Sequence, residues 1–261
     1  MTVPAPFVTV MAITGLALGS FLNVVVYRVP REQSVVSPPS SCPSCHNRLK
    51  AWHNVPVVSW LVLRGRCAFC AAPISARYPL VEFATAALFA LMTMRFGLSP
   101  QLPAYLFLAA AGLVLALIDL DVRRLPGSVV VPSYVVAVLL LMPAGAASGD
   151  WQPAVRALVG LAALTGVYFT LAIAFPTSVS MSDVQLAGLL GLYLGWLSWT
   201  ALAIGAIGGL VLGTLGRLAF GALRQHQLAF ATGPCLVVAT GTALFVTVPL
   251  ASWYGALVGA T

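Results

Sequence analysis

The chain has 261 residues, of which 60% are hydrophobic and only 7% charged, with 13 Lys/Arg against six Asp/Glu and a formal net charge of +7. Soluble globular domains carry roughly 25% charged residues, so this composition excludes a water-soluble enzyme, a secreted disulfide scaffold and a disordered tail. A lipid bilayer must solvate most of the chain, and the basic balance has to be read by position before nucleic acid is invoked.

Apolar runs long enough to cross about 30 Å of hydrocarbon at ~1.5 Å per residue predict helices. They fall near 6–27, 79–97, 103–119, 129–147, 154–174, 184–198, 201–220 and 230–254. The expected fold class is an all-α polytopic membrane protein with about eight transmembrane helices and a small cytoplasmic zinc-binding insertion. The expected domains are a first helix in 1–29, a polar tetracysteine insertion in 30–78 and a seven-helix membrane domain in 79–261.

The first run is preceded by MTVPAPFVTV, without a basic residue, and followed by Arg28 and Arg31. That polarity predicts a retained helix with its N-terminus outside, not a cleaved signal peptide. The same orientation puts eleven of the 13 basic residues in cytoplasmic segments and only Arg95 and Arg156 elsewhere, as the positive-inside rule demands. Trp151, Trp196, Trp199 and Trp253 then lie near the outer boundaries, and His226 lies in a short basic cytoplasmic loop. The charge thus reports membrane topology, and no nucleic-acid partner is expected. No tandem repeat is evident.

The insertion holds two Cys-x-x-Cys turns, Cys42-Pro43-Ser44-Cys45 and Cys67-Ala68-Phe69-Cys70, separated by 21 residues. Each turn can offer two thiolates to one tetrahedral zinc ion. Four protein ligands leave no open position, so structural zinc is the expected cofactor, with a pair of redox dithiols as the weaker alternative. His46 and His53 are read as loop residues, and Cys235, inside the last apolar run, as a packing residue.

Six acidic residues can be weighed one by one. Glu32 and Asp150 read as solvated, and Glu82 as an anchor near Arg77 where the second helix begins. Asp119 and Asp121 close the third apolar run in LIDLDVRRLP, and Asp183 opens the sixth in SVSMSDVQLAGLLG. Ionisable groups at membrane depth are costly and tend to be functional. The topology puts Asp119 and Asp183 at the same, cytoplasmic face, where two carboxylates sharing one proton can hydrolyse a peptide bond. On spacing alone a second reading stands equal: Asp183 caps its helix and Asp121 pairs with Arg123 or Arg124. A carboxylate-lined, proton-coupled transporter is the third.

Several strings in chain order resemble one family. Gly19 to Arg28 (GSFLNVVVYR), the insertion strings SCPSCHNRL, NVPVVSWLVLRGRC and ISARYPLVE, Asp119 through Leu125-Pro126, Asp183, and Phe230 to Leu236 (FATGPCL) are similar to motifs of the type IV prepilin peptidase (leader peptidase) family, GxGD-type intramembrane aspartyl proteases. The resemblance implies an inner-membrane endopeptidase that removes the basic leader of type IV prepilin or pseudopilin precursors at the cytoplasmic face. It implies Asp119 and Asp183 as catalytic residues, without a catalytic metal. Many members also methylate the new N-terminus with S-adenosylmethionine, although the chain shows no Gly-rich nucleotide fingerprint.

Four positions depart from the family pattern. Gly-x-Gly-Asp reads Ser180-Met181-Ser182-Asp183, the Lys two residues later is Gln185, and the acidic or amide residue after Pro126 is Gly127. Glycine permits a close backbone approach and positive φ that serine tolerates less well. The expectation is retained but reduced cleavage, against the rival of an inactive prepilin-binding pseudoenzyme.

Overall fold

A computed structural model describes residues 3–222 and 231–258. Arg224, His226 and Phe230, with the Trp253 side chain, lie outside the described residues. The helices are α1 (Ala5–Arg28), α2 (Val58–Val62), α3 (Arg77–Phe96), α4 (Leu102–Val122), α5 (Gly127–Ser148), α6 (Gln152–Ala174), α7 (Met181–Leu197), α8 (Trp199–Ala222) and α9 (Gly233–Val258). Each of the eight apolar runs becomes one helix. Among the described residues, six of them, α1, α3, α4, α5, α6 and α8, are long and apolar enough to cross a membrane. No β-strand occurs among the described residues, so the protein is an all-α membrane protein. The chain divides into two compact units, Met1–Val114 and Leu115–Thr261.

In the first unit, α1 packs on α3 through small residues. A Cβ at Gly15 would fall 2.8 Å from the Ala86 Cα, and one at Gly19 2.7 Å from the Glu82 Cα. Lipid tails supply no hydrophobic drive between helices, so such close approach carries the dispersion contact that holds them together. Buried Asn23 adds a polar tie by donating to the Gly19 and Tyr78 carbonyls, both at 3.2 Å. Glu82 is also buried. Its carboxylate accepts the Val57 N–H at 2.7 Å and is hydrogen-bonded by the Ser20 hydroxyl, which fixes the insertion to both helices. Glu82 is thus an anchor, but one that acts on the insertion.

In the second unit, α7 is the central helix. It is apolar all round and buried at every position from Leu186 to Trp196, as such a pattern requires. Its glycines admit α6: a side chain at Gly191 would collide with the Gly160 carbonyl, and one at Gly195 with the Arg156 carbonyl. Arg156, one of the two basic residues that break the charge rule, has a structural task here. Its guanidinium donates to the Gly195 and Trp196 carbonyls at 3.4 and 3.3 Å, satisfying groups that the end of a helix leaves unpaired. Trp196 differs from the interfacial expectation. It is buried against Gly145, because α5 and α7 meet there, whereas Trp151 and Trp199 are exposed. The third apolar run also ends later than expected. The helix α4 continues to Val122 and stops where Arg123 turns left-handed at φ +53°, so Asp119 lies inside it.

Candidate functional site

The insertion builds its sulfur cluster from two like turns. In the first, the Cys42 N–H donates to the Asn47 carbonyl and the His46 N–H to that of Cys42. In the second, the Cys67 N–H donates to Ala72 and the Ala71 N–H to Cys67. His46 and Ala71 take the same left-handed conformation, at φ +56° and +57°. Isolated antiparallel bridges, Ser41 with Arg48 and Arg66 with Pro73, close the two turns. Residues 41–48 and 66–73 are therefore a short conformational repeat, which the sequence conceals because only the cysteines recur.

The four sulfurs of Cys42, Cys45, Cys67 and Cys70 all lie within 4.8 Å of one another. Across the two turns, Cys42 is 3.8 Å from Cys70 and Cys45 is 4.0 Å from Cys67. A tetrahedral ion with Zn–S bonds of ~2.3 Å needs sulfur edges of about 3.8 Å, so the cluster can hold a metal ion. Backbone N–H groups of Cys45 and Ser44 lower the Cys42 thiol to about 6. Cys70 receives an Ala72 N–H, but lost solvation and the surrounding sulfurs push it up to about 12. A central cation would relieve that conflict by stabilising every thiolate at once. His46 and His53 are not members of the cluster. His53 instead packs edge-on against Trp52 and Phe69.

Asp119 and Asp183 are both buried, at 4% and 5% exposure. Asp183 stands in the first turn of α7, within a capping box. The Ser180 N–H and hydroxyl each donate to its Oδ2 at 2.8 Å, and the Ser180 Oγ accepts the Asp183 N–H at 3.2 Å. The capping expected of Asp183 is therefore present. Ser180 has φ −92°, an ordinary extended conformation, and neither Ser180 nor Ser182 has positive φ, so this loop needs no glycine for its backbone. Ser182 places its Oγ 2.8 Å from that of Ser180.

Asp119 comes from the cytoplasm-predicted end of α4 and receives the Gly233 N–H at 2.8 Å on its Oδ2. Gly233 is the first residue of α9, so that helix aims its N-terminus at the carboxylate. A Cβ there would sit 2.7 Å from the same oxygen, which is why a glycine precedes Pro234. Asp119 and Asp183 interact electrostatically, and Arg123 also acts on Asp119. Asp121 is two residues further along α4, about 200° around it at 3.6 residues per turn. It is exposed, whereas Asp119 and Asp183 are buried. Sequence reading passed over Gly233 as a carboxylate ligand. Its signal was the Gly-Pro pair opening an apolar helix, which marks an N-terminus with a free N–H.

Comparison with known proteins follows the same outline. Residues 13–96 match the family described as Bacterial Peptidase A24 N-terminal domain. A prepilin leader peptidase/N-methyltransferase of Myxococcus xanthus (strain DK1622) is 46% identical over 139 residues, covering 53% of this chain and 42% of that protein. The protein of the same name from Pseudomonas putida is 36% identical, covering 80% of this chain and 81% of the relative. That from Stutzerimonas stutzeri is 34% identical, covering 92% and 91%. No solved structure is significantly similar. With the matched identity running through both compact units, the chain belongs to the prepilin leader peptidase/N-methyltransferase family.

Proposed function

We propose that this chain is a membrane aspartyl endopeptidase that removes the basic leader of type IV prepilin or pseudopilin precursors at the cytoplasmic membrane face. The observation that carries the reading is that two buried carboxylates, Asp119 from α4 and Asp183 from α7, each held by hydrogen bonds, interact electrostatically. Two such groups hold one proton between them, since both do not readily ionise at close range. One carboxylate takes a proton from water as it attacks the scissile carbonyl carbon. The other gives its proton to the carbonyl oxygen; as the C–N bond breaks it takes that proton back from the gem-diol hydroxyl, while the first carboxyl passes the proton gained from water to the leaving amine nitrogen. The Ser180 and Gly233 donors hold the Oδ2 of each carboxylate, and in the proposed mechanism the other oxygen of each meets water and substrate.

Cys42, Cys45, Cys67 and Cys70 are the proposed ligands of structural zinc, which ties the two turns of the insertion together. The proposed orientation is N-terminus outside, with the insertion and both aspartates at the cytoplasmic side, supported by the distribution of Lys and Arg. The relatives' name adds N-methylation of the processed terminus. Methylation rests on that name. The test is purified protein in nanodiscs incubated with a prepilin and read by mass spectrometry, with and without S-adenosylmethionine. Cleavage after the leader supports the peptidase; a precursor that binds and stays intact favours the pseudoenzyme. An impermeant amine label applied to intact cells should miss Lys50, and strong labelling would reverse the topology.

A further inference from the structure

Arg217, late in α8, joins the two segments that hold the carboxylates. Its Nη2 donates to the Ser178 carbonyl and, at 2.9 Å, to the Thr232 hydroxyl. Ser178 stands two residues before Ser180, the N-cap of α7 that binds Asp183. Thr232 is buried and directly precedes Gly233, whose N–H binds Asp119. The Thr232 carbonyl accepts the Leu236 N–H and so opens the first turn of α9. One side chain therefore fastens the starts of both helices that touch the carboxylates.

Two further observations separate Arg217 from an ordinary cytoplasmic cation. Among the described residues its Nε is buried without a hydrogen-bond partner, a costly state for a guanidinium, which a residue serving only to set topology would avoid by reaching water. Its charge also falls among the carboxylates: Tyr168 feels both Arg217 and Asp183, and Cys235 feels both Arg217 and Asp119. A fixed cation there offsets negative charge that would otherwise drive the two aspartates apart.

We propose that Arg217 is a positioning residue of the cleavage reaction, clamping the N-termini of α7 and α9 so that Asp119 and Asp183 keep the separation needed to share one water. The proposal rests on the peptidase reading above. A misplacement of about 1 Å can cost ~100-fold in rate, so Arg217→Ala should lower kcat about 10–100-fold with KM within about twofold.

The test uses full-length wild type, Arg217→Ala and Arg217→Lys in nanodiscs, with kcat and KM measured on one prepilin. Arg217→Lys should recover much of kcat, and millimolar guanidinium should partly rescue Arg217→Ala. Hydrogen exchange should quicken in segments 180–184 and 232–236 of Arg217→Ala and return towards wild type in Arg217→Lys. The proposal is overturned if Arg217→Ala keeps kcat within twofold, if neither Lys nor guanidinium recovers the loss, or if only one of the two segments responds. Should Arg217→Ala fail to fold, a poorly active Arg217→Lys with unchanged exchange at both segments overturns it equally. A wild type that does not cut defeats the peptidase reading instead, and exchange then judges the clamp alone.

Discussion

Residues 41–48 and 66–73 contain all four sulfurs of the thiol cluster, and each octet closes on itself through its own backbone hydrogen bonds. The carboxylate site draws Asp119, Asp183 and Gly233 from three helices, with 114 residues between Asp119 and the N–H that holds it. The first is an assembly of local turns that a metal ion can join. The second has no local precursor at all. A region built from short-range turns is vulnerable to loss of what links the turns, whereas one built from helix ends is vulnerable to anything that shifts those helices.

The largest expected effect is on the carboxylates. Asp119→Asn and Asp183→Asn should each lower prepilin cleavage about 10³-fold or more, and the double variant should be no worse than either, because the proposed mechanism uses the pair as a unit. Additive losses in the cleavage assay would show two independent groups. Asp121→Asn, on the exposed side of α4, should stay within about threefold.

Next in size is the thiol cluster. Wild type should carry about one zinc per chain, and Cys42→Ser or Cys67→Ser should lose it and give less folded protein, since metal binding and folding of such sites are coupled. The surviving protein should still cut. Elemental analysis with a thermal melt checks this; a metal-free chain of undiminished stability would show that the insertion stands on its turns alone.

Gly233→Ala should then separate geometry from chemistry. The added Cβ would sit 2.7 Å from the Asp119 Oδ2, so the carboxylate or the start of α9 must move. Turnover should fall roughly 10–100-fold at unchanged zinc content. An alanine variant of full turnover would mean that the Gly233 contact is incidental.

The smallest effect belongs to the serines. Ser180→Gly with Ser182→Gly removes both hydrogen bonds that the Ser180 hydroxyl makes with Asp183 but leaves the one donated by the Ser180 N–H in place. An N-cap Ser→Gly change costs only a few tenths of a kcal/mol, so stability should hardly change. Turnover should rise a few-fold as the carboxylate gains freedom. A fall in turnover would show that the serine hydroxyl has become part of this site.

What could be read without the structure follows from what is periodic or local. Eight apolar runs fixed eight helices to within a few residues, because crossing hydrocarbon leaves the backbone no other way to satisfy its N–H and C=O groups. Cys-x-x-Cys spacing located the sulfurs, because a four-residue turn brings two side chains together wherever it occurs. The carboxylate pair was visible only as two acids near one face of the membrane. That Asp119 lies inside α4, that the α9 N-terminus faces it, and that Arg217 bridges Ser178 and Thr232 were decided by helix packing. Residues so far apart in sequence share no period or turn. They meet where the ends of α4, α7, α8 and α9 come together, with the segments before α7 and α9 both hydrogen-bonded by a side chain from α8.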